Sequence, residues 1–115
     1  MIIQDEQIAH LDQQSMLAFE SRAIAHLKKI LARQTRDIED IELQARVRER
    51  ILRARDYGLL TEYEVMCFID ASIVAGDDFD KDPRCHSILV NKSIDAEQRA
   101  GMVLHMALEM IGGTL

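Results

Sequence analysis

Residues 57–76 read Tyr57-Gly58-Leu59-Leu60-Thr61-Glu62-Tyr63-Glu64-Val65-Met66-Cys67-Phe68-Ile69-Asp70-Ala71-Ser72-Ile73-Val74-Ala75-Gly76, and this stretch decides the fold. Thr61 and Glu64 have the spacing of a capping box, in which each side chain accepts a backbone N–H at the start of a helix. From residue 65 to residue 75 only Asp70 and Ser72 are polar. We therefore expect a helix that its neighbours surround, with no room for a reaction centre. Gly76 and Gly58 can take a positive φ, so they end this helix and the one before it.

Length and composition favour a small helical protein. The chain has 115 residues, 48% of them hydrophobic, with five Gly and one Pro. Sheet folds need frequent turns, and this chain has few turn residues, so its composition favours helices. We predict one all-α domain over residues 1–115, a compact bundle of four to five helices around a central buried helix near residues 61–75. The start of the chain has no basic region and the apolar run is too short to span a bilayer, so we expect a soluble, cytoplasmic protein with no membrane segment.

Apolar residues at steps of three and four predict the neighbouring helices. The first is expected over residues 5–33, with an inward stripe of Ile8, Leu11, Met16, Phe19, Ala23, Leu27 and Ile30. The second is expected from about Asp40 to Tyr57, with an inward face of Leu43, Val47, Ile51 and Ala54. Two further helices are expected to begin at Asp82-Pro83 and at Asp95, the last one ending at Gly112-Gly113.

Charge is unevenly distributed along the chain, whose net charge is −6. Residues 22–55 hold ten basic residues and five acids, whereas residues 56–115 hold four basic and eleven acidic residues. A basic block can bind nucleic acid, and Arg46, Arg50 and Arg53 form a basic ridge on the second helix. The alternative, which we favour, is that the two halves pack together and offset each other's charge, since an acidic domain repels phosphate.

Asp70 is a carboxylate on an otherwise apolar helix, where it is costly unless it is paired. We expect a structural ion pair from Asp70 to an arginine, with Arg22, Arg46 and Arg50 as candidates. Arg22 stands out because it lies beside the apolar stripe of the first helix. An acid–base role for Asp70 is the other interpretation, but no second carboxylate lies nearby in the sequence.

The acidic loop, residues 77–82, has alternate acids at Asp78, Asp80 and Asp82, as in the first half of an EF-hand loop. The match fails later, where Pro83 replaces the required glycine and Leu89 replaces the required glutamate. We therefore expect no calcium site. Instead, the acids cap the following helix and Phe79 fills the core.

Other chemical motifs are lacking in the sequence. Four histidines lie far apart, and no phosphate-binding loop or nucleophile motif is present. Cys67 and Cys85 are too few for a disulfide framework and are expected to remain thiols. These patterns predict a protein that is not an enzyme and that has no metal or cofactor.

The last helix has Met102, Met106 and Met110 at steps of four. A second apolar face consists of Val103, Ala107 and Ile111. Because methionine is flexible and polarisable, such a stripe suits an adaptable protein-binding surface. The alternative is that both faces are buried. The predicted partner-binding residues are thus the arginine ridge and this methionine stripe.

Several groups of residues between positions 2 and 83 match a known family. In the first part of the chain they are Ile2-Ile3-Gln4-Asp5-Glu6-Gln7, Leu11, Phe19, Arg22, His26-Leu27-Lys28, Val47-Arg48, Ile51 and Arg53-Ala54. The clearest are Tyr57-Gly58, Glu62, Val65, Phe68-Ile69-Asp70, Gly76, Asp78-Phe79-Asp80 and Asp82-Pro83. With these residues the chain resembles the small helical accessory proteins of bacterial type VI secretion effector clusters, encoded beside the effector adaptor chaperone. It departs from them at Ile30-Leu31-Ala32, in place of an aromatic–proline pair, and at Arg84-Cys85-His86, where a tryptophan is frequent.

The resemblance implies a non-enzymatic protein–protein interaction module that binds the adaptor chaperone, or the effector itself, and modulates effector loading. One alternative is an immunity protein that binds and neutralises a cognate toxic effector, with the acidic loop mimicking a phosphate backbone if that toxin is a nuclease. Another is a nucleic-acid-binding regulator that uses the basic second helix. The sequence leaves open whether the last helix also pairs two copies in a homodimer.

Overall fold

The computed structural model describes residues 13–112. Over these residues the chain forms a compact bundle of six α-helices and one 3-10 turn, with no strand, which confirms the all-α prediction. The helices are α1 (Gln13–Ile30), α2 (Ala32–Thr35), α3 (Asp40–Asp56), α4 (Glu62–Ala75), α5 (Pro83–Leu89) and α6 (Ala96–Met110), and the 3-10 turn is Phe79–Lys81. In this range no helix has both the length and the apolar character needed to cross a membrane.

Two expectations about the helices need correction. The bundle has six helices rather than four to five, because the first predicted helix is broken at Leu31 into α1 and the single turn α2. Leu31 is buried at this corner, so Ile30, predicted to face inward, is 49% exposed. Ile8 and Leu11, predicted for the inward stripe, lie outside the described residues, as does Gly113 at the other end.

Helix α4 is the centre of the bundle and begins and ends where its sequence predicts. Thr61 Oγ1 accepts the Glu64 N–H at 3.2 Å, and Glu64 Oε1 accepts the Thr61 N–H at 3.3 Å. Gly76 ends the helix with a φ of 108°, and Gly58 ends α3 with a φ of 83°. Both angles lie in the left-handed region, where a side chain is strained and glycine is not. The capping residues predicted for the two ends of α4 and for the end of α3 are confirmed.

The core forms around Phe68 of α4. Its ring centroid lies 4.9 Å from that of Phe79 and 5.9 Å from that of Tyr57. Phe79 is buried, as predicted for the residue that fills the core from the acidic loop. The predicted inward face of α3 is confirmed, and α1 contributes three of its predicted residues; these buried side chains are Leu43, Val47, Ile51, Ala54, Phe19, Ala23 and Leu27.

The acidic loop folds back onto the arginines of α3. Arg50 Nη2 donates to Asp77 Oδ1 at 2.6 Å, and Arg53 Nη2 donates to the Asp77 carbonyl at 2.7 Å. The Tyr57 hydroxyl donates to Asp80 Oδ2 at 2.9 Å. Burial and this hydrogen bond raise the pKa of Tyr57 to about 12. The basic and acidic parts of the chain therefore offset each other's charge here, as the alternative that we favoured predicts.

Arg99 of α6 has a structural role that the sequence did not indicate. Its buried guanidinium donates to the carbonyls of Ile94 at 2.9 Å, Tyr57 at 2.8 Å and Leu89 at 2.7 Å. Tyr57 and Leu89 lie at the C-terminal ends of α3 and α5, where backbone carbonyls have no partner within the helix. The exposed Lys92 also donates to the Tyr57 carbonyl, at 3.2 Å. Arg99 thus holds two helix ends against α6.

We expect Arg99→Met to lower the free energy of unfolding by about 3 kcal/mol, because buried carbonyls lose a charged donor. Lys92→Met is the matched control: it also removes a positive charge bound to the Tyr57 carbonyl, but from an exposed position. Its effect should be less than about 0.5 kcal/mol. Urea unfolding followed by circular dichroism measures both values. Equal losses for the two variants would contradict this role of Arg99.

Candidate functional site

A groove of about 460 Å³ lies on one side of α4, between α1 and α6. Its volume is within the range of roughly 300–1,000 Å³ that is usual for ligand pockets. The exposed surface of its wall is mainly apolar, although apolar and polar residues are equal in number: Phe19, Ala23, Met66, Cys67 and Leu104, and Arg22, His26, Glu62, Tyr63 and Asp70. The groove is the candidate functional site.

The groove exists because one face of α4 is left partly uncovered. Tyr63, Met66 and Asp70 follow each other at steps of three and four, so they lie on the same face of the helix. α1 and α6 flank this face but hardly contact each other in the described part of the chain. Tyr63 is 44% exposed, and Met66 and Asp70 are half-buried. The expectation that neighbouring helices surround α4 completely, with no room for a site, is therefore wrong on this face.

His26 of α1 and Asp70 of α4 form a pair in the groove. His26 Nε2 lies 3.1 Å from Asp70 Oδ1 and 3.0 Å from Oδ2. An ionised Asp70 carboxylate can only accept, so with Asp70 ionised the imidazole donates from Nε2. Burial raises the pKa of the Asp70 carboxyl above its ordinary value of 3.8, and the hydrogen bond from His26 only partly opposes this. The Asp70 carboxylate is thus poorly solvated for a group that lines an open groove.

The predicted ion pair between Asp70 and an arginine is wrong. Arg22 Nη2 donates instead to Glu62 Oε2 at 2.6 Å, at the beginning of α4. Its guanidinium also lies 6.0 Å from the centre of the Phe19 ring. Asp70 lies two turns further along α4, opposite His26, which follows Arg22 by one turn on α1.

The basic ridge of α3 is not an open surface. Arg50 is 5% exposed and bonded to the acidic loop, so its predicted partner-binding role is wrong. Arg53 is largely covered, because its guanidinium lies over the Phe68 ring, 5.6 Å from the centroid, and donates to the same loop. Arg46 is more exposed and pairs with Glu42 within α3. Glu49 of α3 also pairs with Arg50 and Arg53, so the charges of these two arginines are offset from within α3 as well as from the acidic loop.

The methionine stripe of α6 is divided between core and surface. Met102 is 42% exposed, whereas Met106 and Met110 are half-buried against the core, and Met110 Sδ lies 3.7 Å from Cys85 Sγ. The prediction of one open methionine surface is therefore wrong for two of its three members. Met102 lies in a shallow depression next to the groove, which we call the shelf; its residues are Tyr63, Ile94, Glu97, Gln98, Gly101 and Met102. Tyr63 belongs to both.

The acidic loop keeps few of its charges for a partner. Asp80 is 3% exposed and accepts from Tyr57, whereas the exposed Asp78 pairs with Lys81 at 3.6 Å. Asp82 accepts the Arg84 N–H at 2.9 Å and so caps α5, as predicted. Hydrogen bonds from Arg84 hold the pKa of Asp82 below its ordinary value.

Besides these polar pairs, the groove contains the Tyr63 hydroxyl and one thiol. Cys67 is 5% exposed in the wall, and neither it nor Cys85 is in a disulfide. Within residues 13–112, no group of three His, Cys, Asp or Glu side chains is placed to hold a metal ion. The His26–Asp70 pair is accessible to solvent, since the imidazole is 37% exposed. What the groove offers a ligand is mainly an apolar wall with charges at its edge.

Comparison with known proteins adds no relative: no family model, curated protein or solved structure matches this chain.

We expect Asp70→Asn to stabilise the protein at pH 7. Folding raises the pKa of the Asp70 carboxyl, so this group stabilises the folded state when the pH is below its ordinary pKa. The contribution is lost as the pH rises through the pKa of the folded state. The variant and the native protein should therefore have similar melting temperatures near pH 3, and the variant should melt higher at pH 7. Asp37→Asn, at an exposed position, is the control and should not show this pH dependence. A lower melting temperature for Asp70→Asn at pH 7 would contradict the argument.

Proposed function

We propose that this protein is a non-enzymatic docking module that binds a protein partner through the groove between α1, α4 and α6. The observation that carries this proposal is the groove itself, an apolar wall with polar pairs at its edge. Protein interfaces have this anatomy: a central apolar pocket receives an anchor residue, and a polar rim excludes water around it. The Arg22–Glu62 and His26–Asp70 pairs supply such a rim.

The shelf extends the groove into a larger apolar surface. Tyr63 and Met102 are both more than two-fifths exposed, at 44% and 42%. A side chain at Gly101 would begin 3.4 Å from the Tyr63 hydroxyl, so glycine keeps the surface between them open. Tyrosine and methionine are both enriched at protein interfaces. Groove and shelf together therefore offer a contact area on α4 and α6.

The partner class comes from the family resemblance. Among the residues that carry it are groove residues on both helices: Phe19, Arg22, His26, Glu62 and Asp70. In this proposal the partner is the adaptor chaperone of a type VI secretion effector cluster, and binding modulates how the chaperone holds its effector.

The two alternative functions depend on charges that the fold largely uses itself. A nucleic-acid-binding regulator would need the arginine ridge, but Arg50 and Arg53 are bonded to the acidic loop. An immunity protein that mimics phosphate would need that loop, but Asp80 is buried within it. These contacts favour the groove over the ridge and the loop as the binding surface.

Co-expression with the adaptor chaperone of the cluster, without the effector, tests the proposal. We expect the two proteins to co-purify at moderate salt, and Tyr63→Ala to weaken binding at least about tenfold, as loss of an aromatic anchor does. Ile41→Ala is the control, since Ile41 is 78% exposed on α3 and outside the groove. Titration calorimetry measures both affinities, and thermal unfolding verifies that both variants fold.

Absence of co-purification would overturn the chaperone assignment, and equal binding by both variants would overturn the groove as the docking site. Protection of cells from the toxin by this protein alone, without the chaperone, would favour the immunity alternative.

A further inference from the structure

The charges around the groove do not balance. Arg22 and Glu62 offset each other at 2.6 Å. In the described part of the chain, Asp70 contacts the His26 imidazole and no arginine or lysine side chain. The Asp70 side chain is 16% exposed and is therefore accessible from the groove. A permanent cation, such as an arginine or lysine side chain, could approach the Asp70 carboxylate. It would interact with the carboxylate more favourably than the imidazole does.

The α4–α6 side of the groove is acidic, whereas α1 carries Arg22, Lys28 and Lys29. Residues 56–115 hold only four basic residues, and each has an internal partner: Lys81 binds Asp78, Arg84 binds Asp82, and Lys92 and Arg99 bind backbone carbonyls. On the shelf, the charged residue is Glu97. The uncompensated charge on the α4–α6 side is thus negative, which attracts a basic segment and repels an acidic one.

The geometry of α4 indicates what kind of segment fits. Met66 and Asp70 are one turn apart, a distance of about 6 Å along the helix axis. A helix lying along the groove could place an apolar side chain against Met66 and a basic side chain, one turn away, against Asp70. Binding of an amphipathic helix in a groove between helices is a common form of recognition.

We infer that the groove receives a basic amphipathic helix of the partner protein, whose arginine or lysine replaces His26 as the partner of Asp70. This inference rests on the proposed docking function and specifies its ligand. An apolar residue of that helix is seated against Met66 and Leu104, and the basic residue lies four positions from it. His26 then serves as a replaceable donor that holds Asp70 until the partner binds.

A fluorescence titration tests the inference. The full chain contains no tryptophan, so the emission of a single tryptophan in a probe peptide reports binding without background. The probe is a synthetic amphipathic helix of leucine and lysine with that tryptophan on its apolar face. Matched peptides carry glutamine or glutamate in place of every lysine. We expect the lysine peptide to bind most tightly and the glutamate peptide least tightly.

Variants of the groove locate the effect. Asp70→Asn should lower the affinity for the lysine peptide about tenfold. Asp37→Asn, which removes the same charge from an exposed site elsewhere, should change this affinity less than about twofold. His26→Ala should raise the affinity for the lysine peptide, because His26 then no longer competes with lysine for Asp70. Tyr63→Ala should lower the affinities for the lysine and glutamine peptides by the same factor.

Equal affinities for the lysine and glutamine peptides, or no effect of Asp70→Asn, would overturn the inference. The proposed docking function would not be affected, because the co-purification experiment tests it separately. If Tyr63→Ala leaves the affinity for the lysine peptide unchanged, the peptide is attracted to the acidic surface in general, and the inference is overturned. Absence of binding would overturn it as well.

Discussion

The removal of α4 from water is the constraint on which the rest of this structure depends. Its apolar residues cover nearly the whole helix, so the remaining helices must pack around it, and Phe68 becomes the centre of an aromatic cluster with Phe79 and Tyr57. The segment that follows α4 must then return over α3, because Phe79 belongs to the same core. That return path brings the acidic loop onto the arginines of α3.

This arrangement uses most of the charge that makes the sequence look like a nucleic-acid or toxin binder. Arg50 and Arg53 bind the acidic loop, Arg48 binds the buried Glu20 at 2.9 Å, and Arg99 binds carbonyls at helix ends. Burial of such groups costs free energy unless they are hydrogen-bonded, so the fold directs them to one another. Under the docking function that we propose, the surface left for recognition is the face of α4 that α1 and α6 do not cover.

The polar pairs across the seam between α1 and α4 suit a surface that opens for a partner. Arg22 is 58% exposed and His26 is 37% exposed, so each pair is accessible to water. An exposed pair such as Arg22–Glu62 is worth about 0–1 kcal/mol. In the docking that we propose, a basic side chain of the partner replaces His26 beside Asp70, while the apolar wall supplies most of the binding free energy.

The sequence by itself determined the all-α class, the limits of α4 at Thr61 and Gly76, and the inward face of α3, because capping and periodicity depend on residues within a few positions of each other. It also located Asp70 as a carboxylate in need of a partner. Only the tertiary structure decided that this partner is His26 rather than Arg22, that Arg50 is enclosed, and that a groove opens beside Tyr63. Those outcomes depend on which helix faces meet across separations of tens of residues, and on the break at Leu31 that no periodic pattern marks.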